Sequence, residues 1–361
     1  MPRENTYNFS AGPSVLPECA LIKARDELLD YRGSGMSVME MSHRSALFQD
    51  IFDEAVYKLK KLMNVPASHE VLLLQGGAST QFAAIPMNLM EGKSADYAVT
   101  GNFAGKAAAE ARKYGSVNIA ADSSATGHDR IPTQAELKLS ADAKYFYYCA
   151  NNTIYGTEWQ YVPQTKAPLV CDMSSDILSR EVNVSDFGLI YAGAQKNMAP
   201  AGLTVVIMDK SLAGREMPYT PTMLSYKTML DSLSMYNTPP CFCIYMLGLT
   251  LDWVEAQGGV KAMEERRNIR SGMIYDFLDE SRLFKPHAKQ GSRSGMNVTF
   301  RTGDAELDAE FIKGAAAKGL LNLKGHKVAG GMRASMYNAM PIEGARALLE
   351  YMKEFEAKHH V

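Results

Sequence analysis

Two apolar runs enclose a lysine in the stretch Leu189-Ile-Tyr-Ala-Gly-Ala-Gln-Lys-Asn-Met-Ala-Pro-Ala-Gly-Leu-Thr-Val-Val-Ile-Met208. Each run has the length and composition of a buried strand, and mostly small residues connect the two. Lys196 is the only charged residue of that connection. An ammonium group removed from water has a lowered pKa and becomes an amine nucleophile for Schiff-base chemistry. We therefore interpret Lys196 as a catalytic residue, the alternative being a lysine that caps a strand end.

A carboxylate ends an earlier strand of the same kind. The segment Pro168-Leu-Val-Cys-Asp-Met-Ser-Ser175 predicts a short buried strand that finishes at Asp172, 24 residues before Lys196. That separation holds one connection and a second strand, so both groups can emerge at the same sheet edge. Pyridoxal phosphate needs this pair, an amine for attachment and a carboxylate that keeps the ring nitrogen protonated. A turn or helix cap is the alternative role for Asp172.

A glycine-rich turn follows another apolar run in Val71-Leu-Leu-Leu-Gln-Gly-Gly-Ala-Ser-Thr-Gln81. Glycines permit a tight turn, and the N–H groups of a helix that starts there can hold a phosphate. A nucleoside-triphosphate loop is excluded, because Gly92-Lys93-Ser94 is preceded by Met87 where that motif needs glycine. The alternative is a purely structural strand-to-helix turn.

Apolar runs alternate with helical patterns over the first two thirds of the chain, which indicates an α/β fold with a mostly parallel sheet covered on both faces. The predicted strands are 71–74, 97–100, 145–149, 169–171, 189–191 and 203–208, and the clearest predicted helix is 46–63.

The pattern changes after Pro240. Helical segments are predicted at 242–256 and 260–278, then a strand near 297–300, a helix near 305–318 and a final helix from Glu343. Two glycines interrupt the helical pattern at Gln257-Gly-Gly259. We therefore expect a large domain of residues 17–256 and a smaller α/β domain of residues 257–361.

Composition limits the possible functions. The chain has 361 residues, 46% hydrophobic content and a net charge of −2, so nucleic acid is not an expected partner. The beginning of the sequence lacks an apolar signal core, and no run reaches membrane-spanning length, which predicts a cytoplasmic protein without a membrane partner. Five cysteines without a C-x-x-C pair indicate reduced thiols, and we expect no metal.

Five ordered motifs carry a resemblance to a known family. They are Phe9-Ser-Ala-Gly-Pro13, Ser37-Val-Met-Glu-Met-Ser-His-Arg44, Tyr191-Ala-Gly-Ala-Gln-Lys196, Tyr236-Asn-Thr-Pro-Pro240 and Gly325-His-Lys-Val-Ala-Gly-Gly-Met-Arg333. With them the whole chain resembles the phosphoserine aminotransferases, class-V pyridoxal-phosphate enzymes of the aspartate-aminotransferase fold group. The resemblance implies fold type I with a seven-stranded sheet, residues 1–16 joined to the small domain, and a homodimer with shared active sites.

The resemblance also implies a reaction. Glutamate would give its amino group to the cofactor, which would pass it to 3-phosphohydroxypyruvate, yielding 2-oxoglutarate and O-phospho-L-serine. This is a step of serine biosynthesis, and a homologous phosphorylated hydroxythreonine of vitamin B6 synthesis is a further candidate substrate. In this interpretation Lys196 also moves the substrate's Cα proton.

Cofactor contacts are implied position by position. Lys196 and Asp172 keep their roles, Thr153 lies at the ring hydroxyl, and Phe103 stacks on the ring. The phosphate would be held by Ala78, Ser79 and Gln195 of one chain and by Asn237 and Thr238 of its neighbour. Taken alone, Thr153 and the Tyr236–Pro240 segment have ordinary structural roles as alternatives.

Substrate contacts are implied in the same way. Arg333 would bind the α-carboxylate with both arms of its guanidinium. His43, Arg44, His326 and Lys327 would hold the distal phosphate or the γ-carboxylate of glutamate, with His43 and Arg44 supplied by the neighbouring chain. Without the family, each of these is more typical of a surface charge or a satisfied histidine.

The chain departs from the family at two of these positions. Phe103 stands where tryptophan is common, which keeps an aromatic face but loses the indole donor. Lys327 stands where arginine is common, which keeps the charge but loses the bidentate fork. These changes leave the reaction type intact and bear on phosphate recognition.

Other functions remain as alternatives. A fold relative with another acceptor is one, such as a serine- or alanine-glyoxylate aminotransferase. A cysteine desulfurase would need a cysteine on a mobile loop, and neither Cys241 nor Cys243 lies in an obvious one. A non-catalytic cofactor-binding relative is disfavoured by the presence of both Lys196 and Asp172.

Overall fold

The computed structural model describes residues 3–359 as an α/β protein. Its strands are β1 Tyr7–Asn8, β2 His69–Leu74, β3 Ser94–Val99, β4 Ser116–Asp122, β5 Phe146–Cys149, β6 Asn151–Asn152, β7 Thr157–Glu158, β8 Leu169–Asp172, β9 Leu189–Gly193, β10 Thr204–Asp209, β11 Lys285–Pro286, β12 Asn297–Arg301, β13 Leu320–Leu321 and β14 Met332–Ser335. Its α-helices are α1 Glu18–Asp26, α2 Ala46–Leu62, α3 Gly77–Leu89, α4 Asn102–Ala111, α5 Tyr226–Asp231, α6 Cys241–Ala256, α7 Gly259–Glu280, α8 Ala305–Ala317 and α9 Ile342–Lys358.

Seven strands form the main sheet in the order β2-β10-β9-β8-β5-β3-β4. Only β10 runs antiparallel to its two neighbours, and the pairs from β9 to β4 are parallel. The predicted mostly parallel seven-stranded sheet is therefore confirmed. Parallel strands end at a common edge, where β8 finishes at Asp172 and β9 leads into Lys196.

Alternating side chains of the sheet enter two separate cores. Val205 and Ile207 of β10 pack in a core with α2 and α6, whereas Val206 and Met208 pack in a core with α3 and α4. A β-strand directs successive side chains to opposite faces, so a continuous apolar run must be covered on both. Full burial of each such side chain contributes roughly 1.5–3 kcal/mol to stability.

A third core lies under the C-terminal part of the chain. It combines side chains of α7, α8 and α9 with those of the antiparallel sheet β11-β12-β14, and it includes Phe9 from the start of the chain. The short strands β1 and β13 pair in parallel, which fixes residues 7–8 beside residues 320–321. The division at residues 16 and 256 stays a prediction.

Most predicted elements lie within a few residues of the observed ones. The strand at 97–100 begins earlier, at Ser94, and the helix expected from Gln81 begins at Gly77. The sequence did not predict β4, an edge strand whose residues are mostly half-exposed. Across residues 3–359, none of the helices combines the length and apolar character needed to span a bilayer.

Candidate active site

Lys196 lies in the turn after β9, at the carboxyl edge of the main sheet. Its Nζ donates a hydrogen bond of 2.7 Å to Oγ1 of Thr153 and lies 5.2 Å from the ring centroid of Phe103. Ser14 fixes the turn from the other side, because its hydroxyl donates to the carbonyl of Lys196. Gly12 approaches so closely that a Cβ there would lie 3.0 Å from Cγ of Lys196. The lysine side chain is thus held in one direction.

Burial lowers the pKa of the Lys196 ammonium, and the nearby Asp172 carboxylate acts in the opposite direction. The side chain keeps some access to solvent, but its amine end is closely surrounded by protein atoms. A desolvated amine loses its proton more readily and is a better nucleophile. The environment therefore suits the chemical role predicted for Lys196.

Asp172 is buried and receives two hydrogen bonds. Oδ1 accepts from the backbone N–H of Ser174 at 2.9 Å, and Oδ2 accepts from the hydroxyl of Tyr191 at 3.0 Å. The Tyr191 hydroxyl also lies 2.8 Å from that of Tyr147. Burial raises the pKa of both tyrosines, with the Asp172 charge acting in the same direction. The phenols therefore stay protonated and fix the orientation of the carboxylate.

The glycine turn after β2 forms a helix N-terminus at the same edge. Gly76 has φ of +93°, and a Cβ there would lie 2.5 Å from Oγ1 of Thr80. No side chain caps α3. Ala78 of its first turn is close to Gln195, since a Cβ on Gly193 would lie 3.4 Å from the Cβ of Ala78 and 2.9 Å from Oε1 of Gln195. These N–H groups and the Gln195 amide are suited to a phosphate.

Arg333, in β14, and the loop before it supply positive charge to the site. Nη1 of Arg333 donates to the carbonyl of Thr153 at 3.3 Å, so Arg333 and Lys196 share one partner residue. Burial lowers the pKa of Arg333. Burial also lowers the pKa of His326, and the charges of Arg333 and Lys327 add to that effect. Arg333, His326 and Lys327 therefore lie near one another.

Within residues 3–359, five predicted site residues form no hydrogen bond or ion pair with Lys196, Asp172 or Arg333. His43 and Arg44 lie in the loop before α2, with Arg44 exposed. The side chains of Asn237 and Thr238 are exposed, and the Thr238 carbonyl accepts from Nε2 of Gln75 in the same chain at 2.5 Å. Ser79 is exposed in the first turn of α3, next to Ala78.

Sequence reasoning missed three polar residues of the site. Tyr191 and Ser174 orient Asp172, and Lys106 approaches Phe103, with Nζ 5.9 Å from the ring centroid. Tyr191 belongs to the apolar run Leu189–Tyr191, and the sequence of that run does not reveal a hydrogen-bond partner for its hydroxyl. The spacing of Phe103 and Lys106 by three residues on a helix was the available signal for a shared face.

The residues fit pyridoxal phosphate. Lys196 offers a desolvated amine, Asp172 an oriented carboxylate, Phe103 an aromatic face, and α3 an uncapped N-terminus for the phosphate. Among residues 3–359, no cluster of three or more His, Cys, Asp or Glu side chains is arranged to hold a metal ion.

Comparisons with known proteins agree with this arrangement. The family model for aminotransferase class-V matches residues 6–348. A phosphoserine aminotransferase of Nitrosomonas europaea is 51% identical, with 98% of this chain and 99% of the relative covered. A phosphoserine aminotransferase of Pseudomonas aeruginosa is 50% identical, with 99% of each covered.

Solved structures give the same result. A phosphoserine aminotransferase from Bacillus circulans subsp. alkalophilus superimposes with a TM-score of 0.96 at 43% identity, covering 99% of each chain. A phosphoserine aminotransferase with bound pyridoxal phosphate from Trichomonas vaginalis has a TM-score of 0.93 at 39% identity, covering 96% of this chain and 99% of that one. The chain therefore belongs to the class-V aminotransferase family of pyridoxal-phosphate enzymes, among the phosphoserine aminotransferases.

Proposed function

We propose that this protein transfers an amino group between L-glutamate and 3-phosphohydroxypyruvate, giving 2-oxoglutarate and O-phospho-L-serine. The observation that carries the proposal is the shared contact at Thr153, whose hydroxyl accepts from Lys196 while its carbonyl accepts from Arg333. A reactive amine therefore stands beside a cation for the substrate's α-carboxylate. Lys327 adds a cation and His326 a hydrogen-bond donor for a second anionic end, which both glutamate and the phosphorylated acid possess.

The bound cofactor supplies an aldehyde that takes up the amino group and a ring that withdraws electrons from the substrate's Cα. Lys196 would hold the cofactor, and its Nζ, once free, would act as base and acid at that Cα. Thr153 orients Nζ through the 2.7 Å hydrogen bond. Asp172, fixed by Ser174 and Tyr191, keeps a proton on the ring nitrogen. Gln195 and the first turn of α3 anchor the phosphate.

Substrate orientation depends on the two cationic regions. The planar guanidinium of Arg333 can bind both oxygens of an α-carboxylate. Its burial strengthens that interaction because water competes less. The distal anion then reaches the loop that holds His326 and Lys327. An amino acid without a distal anion would lose these contacts and bind more weakly.

The active protein is a homodimer with shared active sites. Support comes from the positions of the exposed large apolar side chains. Among residues 3–359 most of them lie within two segments, residues 22–57 and 219–236. The exceptions are Leu139, Ile269 and Val328. Leu29 is 86% exposed and Tyr57 65% exposed, which is unusual unless another surface covers them. Residues 43–44 and 237–238 lie in or beside the same two segments, so a partner there would meet the proposed neighbour-supplied residues.

The protein works in the cytoplasm. Its five cysteines are free, and Cys149 and Cys171 are buried with pKa values raised by burial, so they are inert thiols of a kind that a reducing compartment preserves.

Purified protein loaded with pyridoxal phosphate tests the proposed reaction. Glutamate would be supplied with a panel of 2-oxo acids, phosphorylated and unphosphorylated, and formation of 2-oxoglutarate would be followed. We expect 3-phosphohydroxypyruvate to have the highest kcat/KM. A higher value for glyoxylate or pyruvate would overturn the proposed acceptor while leaving family membership intact. Including the phosphorylated 2-oxo acid that corresponds to hydroxythreonine tests the further candidate substrate.

A further inference from the structure

Positive charges lie near the predicted substrate site. Arg333 and Lys327 are positive charges there, His326 lies beside them with a lowered pKa, and the carboxylates that act on Lys196 are Asp172 and the buried Asp176. One more cation approaches this group from the large domain, on α4. Lys106 follows Phe103 by one helical turn, which puts the two side chains on the same face of the helix.

Lys106 and the amine of Lys196 both lie near the ring of Phe103. Nζ of Lys106 lies 5.9 Å from the ring centroid and Nζ of Lys196 lies 5.2 Å from it. The two ammonium groups are therefore at most about 11 Å apart, the sum of those distances. In a phosphorylated 2-oxo acid, three bonds of about 1.5 Å separate the reacting carbon from phosphorus, and a hydrogen bond adds about 3 Å. This reach of about 7.5 Å is shorter than the upper limit of about 11 Å, and rotation of the exposed Lys106 side chain can close the remainder.

The loop of the small domain meets Lys106 from the other side. The positive charges of Arg333, Lys327 and Lys106 all act on His326 and help to lower its pKa, after burial. The loop is fixed at both ends, since Gly325 N–H donates to the Gly331 carbonyl at 2.8 Å and Arg333 N–H donates to the Leu323 carbonyl at 2.7 Å. The loop thus holds His326 and Lys327 in a defined conformation, and the charge of Lys106 acts on His326 from α4.

Lys106 has no carboxylate partner. Within residues 3–359, Lys106 lies against the Phe103 ring and forms no ion pair. Its charge helps to lower the pKa of His326. Lys113, just beyond the same helix, shows the common surface arrangement, with Nζ 2.7 Å from Oε2 of Glu110. An unpaired lysine that faces other cations gains most from an anionic ligand between them.

We propose that Lys106 is a specificity-determining residue that, together with Lys327 and His326, binds the distal phosphate of the substrate. The inference rests on the proposed function and adds to it a residue from α4. Lys327 offers the phosphate one point charge and lacks the planar fork with which an arginine binds two oxygens. Lys106 supplies the second donor from the opposite side.

The test compares Lys106→Gln with Lys106→Arg and with the control Lys113→Gln, which removes the same charge beyond the same helix. The readouts are kcat/KM for 3-phosphohydroxypyruvate and for pyruvate, and spectral titration of the cofactor with O-phospho-L-serine and with L-alanine. We expect Lys106→Gln to weaken both phosphorylated ligands about tenfold or more, the effect of one lost charge-assisted hydrogen bond. Pyruvate and alanine should change less than twofold, and Lys106→Arg and Lys113→Gln should resemble wild type.

Two outcomes overturn the inference. An unchanged affinity for phosphorylated ligands in Lys106→Gln removes Lys106 from the phosphate site. An equal loss for pyruvate and alanine assigns Lys106 to support of Phe103 and the cofactor instead. Failure of the proposed function is separately visible, because wild-type protein would then fail to prefer the phosphorylated acid before any variant is compared, and the assignment of Lys106 would fall with it.

Discussion

Lys196 is surrounded by groups that control its charge and direction rather than by groups that stabilise the fold. Thr153 accepts its hydrogen bond, Phe103 lies against the amine, and burial lowers its pKa. Burying the lysine ammonium costs free energy, and an uncharged side chain at this position avoids that cost. The fold therefore does not depend on Lys196.

We therefore expect Lys196→Ala to lose transamination while remaining folded. The substitution removes the amine that holds the cofactor and moves the Cα proton. Because positioned proton transfer alone contributes about 10²–10⁴-fold, we expect kcat to fall by about three orders of magnitude or more. Turnover with glutamate and 3-phosphohydroxypyruvate measures the effect, and a thermal unfolding scan checks the fold. Lys210→Ala, at an exposed lysine, is the control. Substantial turnover by Lys196→Ala without added amine would contradict the assignment.

Asp176 is a buried carboxylate whose charge acts on Lys196 and whose own titration affects stability. Its carboxylate is buried, Oδ2 lies 3.6 Å from Nη2 of Arg180, and Oδ1 has no hydrogen-bond partner in the structure. Burial raises the pKa of Asp176 to about 7, and the nearby Glu158 charge adds to the increase. The folded state therefore holds a proton that the unfolded chain releases at lower pH, so this group makes stability fall as pH rises from about 4 to about 7.

Asp176→Asn should remove that pH dependence. Relative to wild type, the variant should gain stability on the order of 2 kcal/mol between pH 5 and pH 8, at about 1.4 kcal/mol per pH unit within the titration window. Urea unfolding of both proteins at several pH values, with saturating pyridoxal phosphate, measures the difference. Parallel stability profiles for the two proteins would show that Asp176 titrates equally in the folded and unfolded states.

The roles of some site residues could be predicted from the sequence, and the roles of others could not. Lys196 and Asp172 were predictable because each is a charge within an apolar, strand-forming segment. The role of Tyr191 depends on the pairing of β8 with β9, which puts it opposite Asp172. Lys106 meets His326 only because α4 and the loop before β14 converge, although 220 residues separate them in the chain. No local pattern carries that information.

At the scale of elements, the buried strands of the main sheet were found, including the edge strand β2, and the half-exposed edge strand β4 was missed. β9 and the central residues of β10 are apolar because helices cover both faces of the sheet. β4 pairs on one side only, and its sequence Ser-Val-Asn-Ile-Ala-Ala-Asp alternates weakly, since most of its residues are half-exposed. The start of α3 was predicted late because Gly77 is a poor helix former that the preceding turn requires.

The conformation of Gly76, in the turn before α3, can be tested by substitution. Gly76→Ala should destabilise the protein by more than about 1 kcal/mol, because φ of +93° is unfavourable for alanine and its Cβ would meet Thr80. It should also weaken pyridoxal phosphate binding, because the shift displaces the N–H groups of the first helical turn. Equilibrium dialysis with the cofactor and a thermal scan measure the two effects.

Gly92→Ala is the matched control for the turn. Gly92 also has a left-handed φ, +68°, but its Cβ would meet nothing within 4 Å, and it lies beyond the far end of α3. The control should lose some stability and keep the wild-type dissociation constant for pyridoxal phosphate. An equal loss of cofactor affinity in both variants would show that Gly76 acts through global stability and that the helix N-terminus does not bind the phosphate.

At the scale of the whole molecule, some predicted site residues of the single chain lie away from Lys196 and Arg333. Arg44 is exposed and makes no contact with Lys196 or Arg333, and residues 237–238 project their side chains into solvent. Exposed apolar residues occur in the same two segments of the chain. A partner surface would bury the apolar residues and bring Arg44 to a neighbouring site, an arrangement that a sequence alone indicates only through family resemblance.

Subunit mixing tests whether the sites are shared. Lys196→Ala and Arg44→Ala proteins, each inactive or nearly so, are unfolded together and refolded with pyridoxal phosphate. In a shared arrangement every mixed dimer has one site with an intact Lys196 and an intact Arg44 and one site with neither. Random pairing makes half of the dimers mixed, so activity with glutamate and 3-phosphohydroxypyruvate should return to about a quarter of the wild-type value.

The control for mixing pairs Lys196→Ala with Arg333→Ala. Both residues contact Thr153 of the same chain, so every site of a mixed dimer keeps one lesion and activity should stay absent. Recovery with Arg44→Ala but not with Arg333→Ala would assign Arg44 to the neighbouring chain's site and Arg333 to its own. If neither mixture recovers although mixed dimers are shown to form, Arg44 does not serve the partner, and the chemistry of Lys196 would then operate within sites built from one chain.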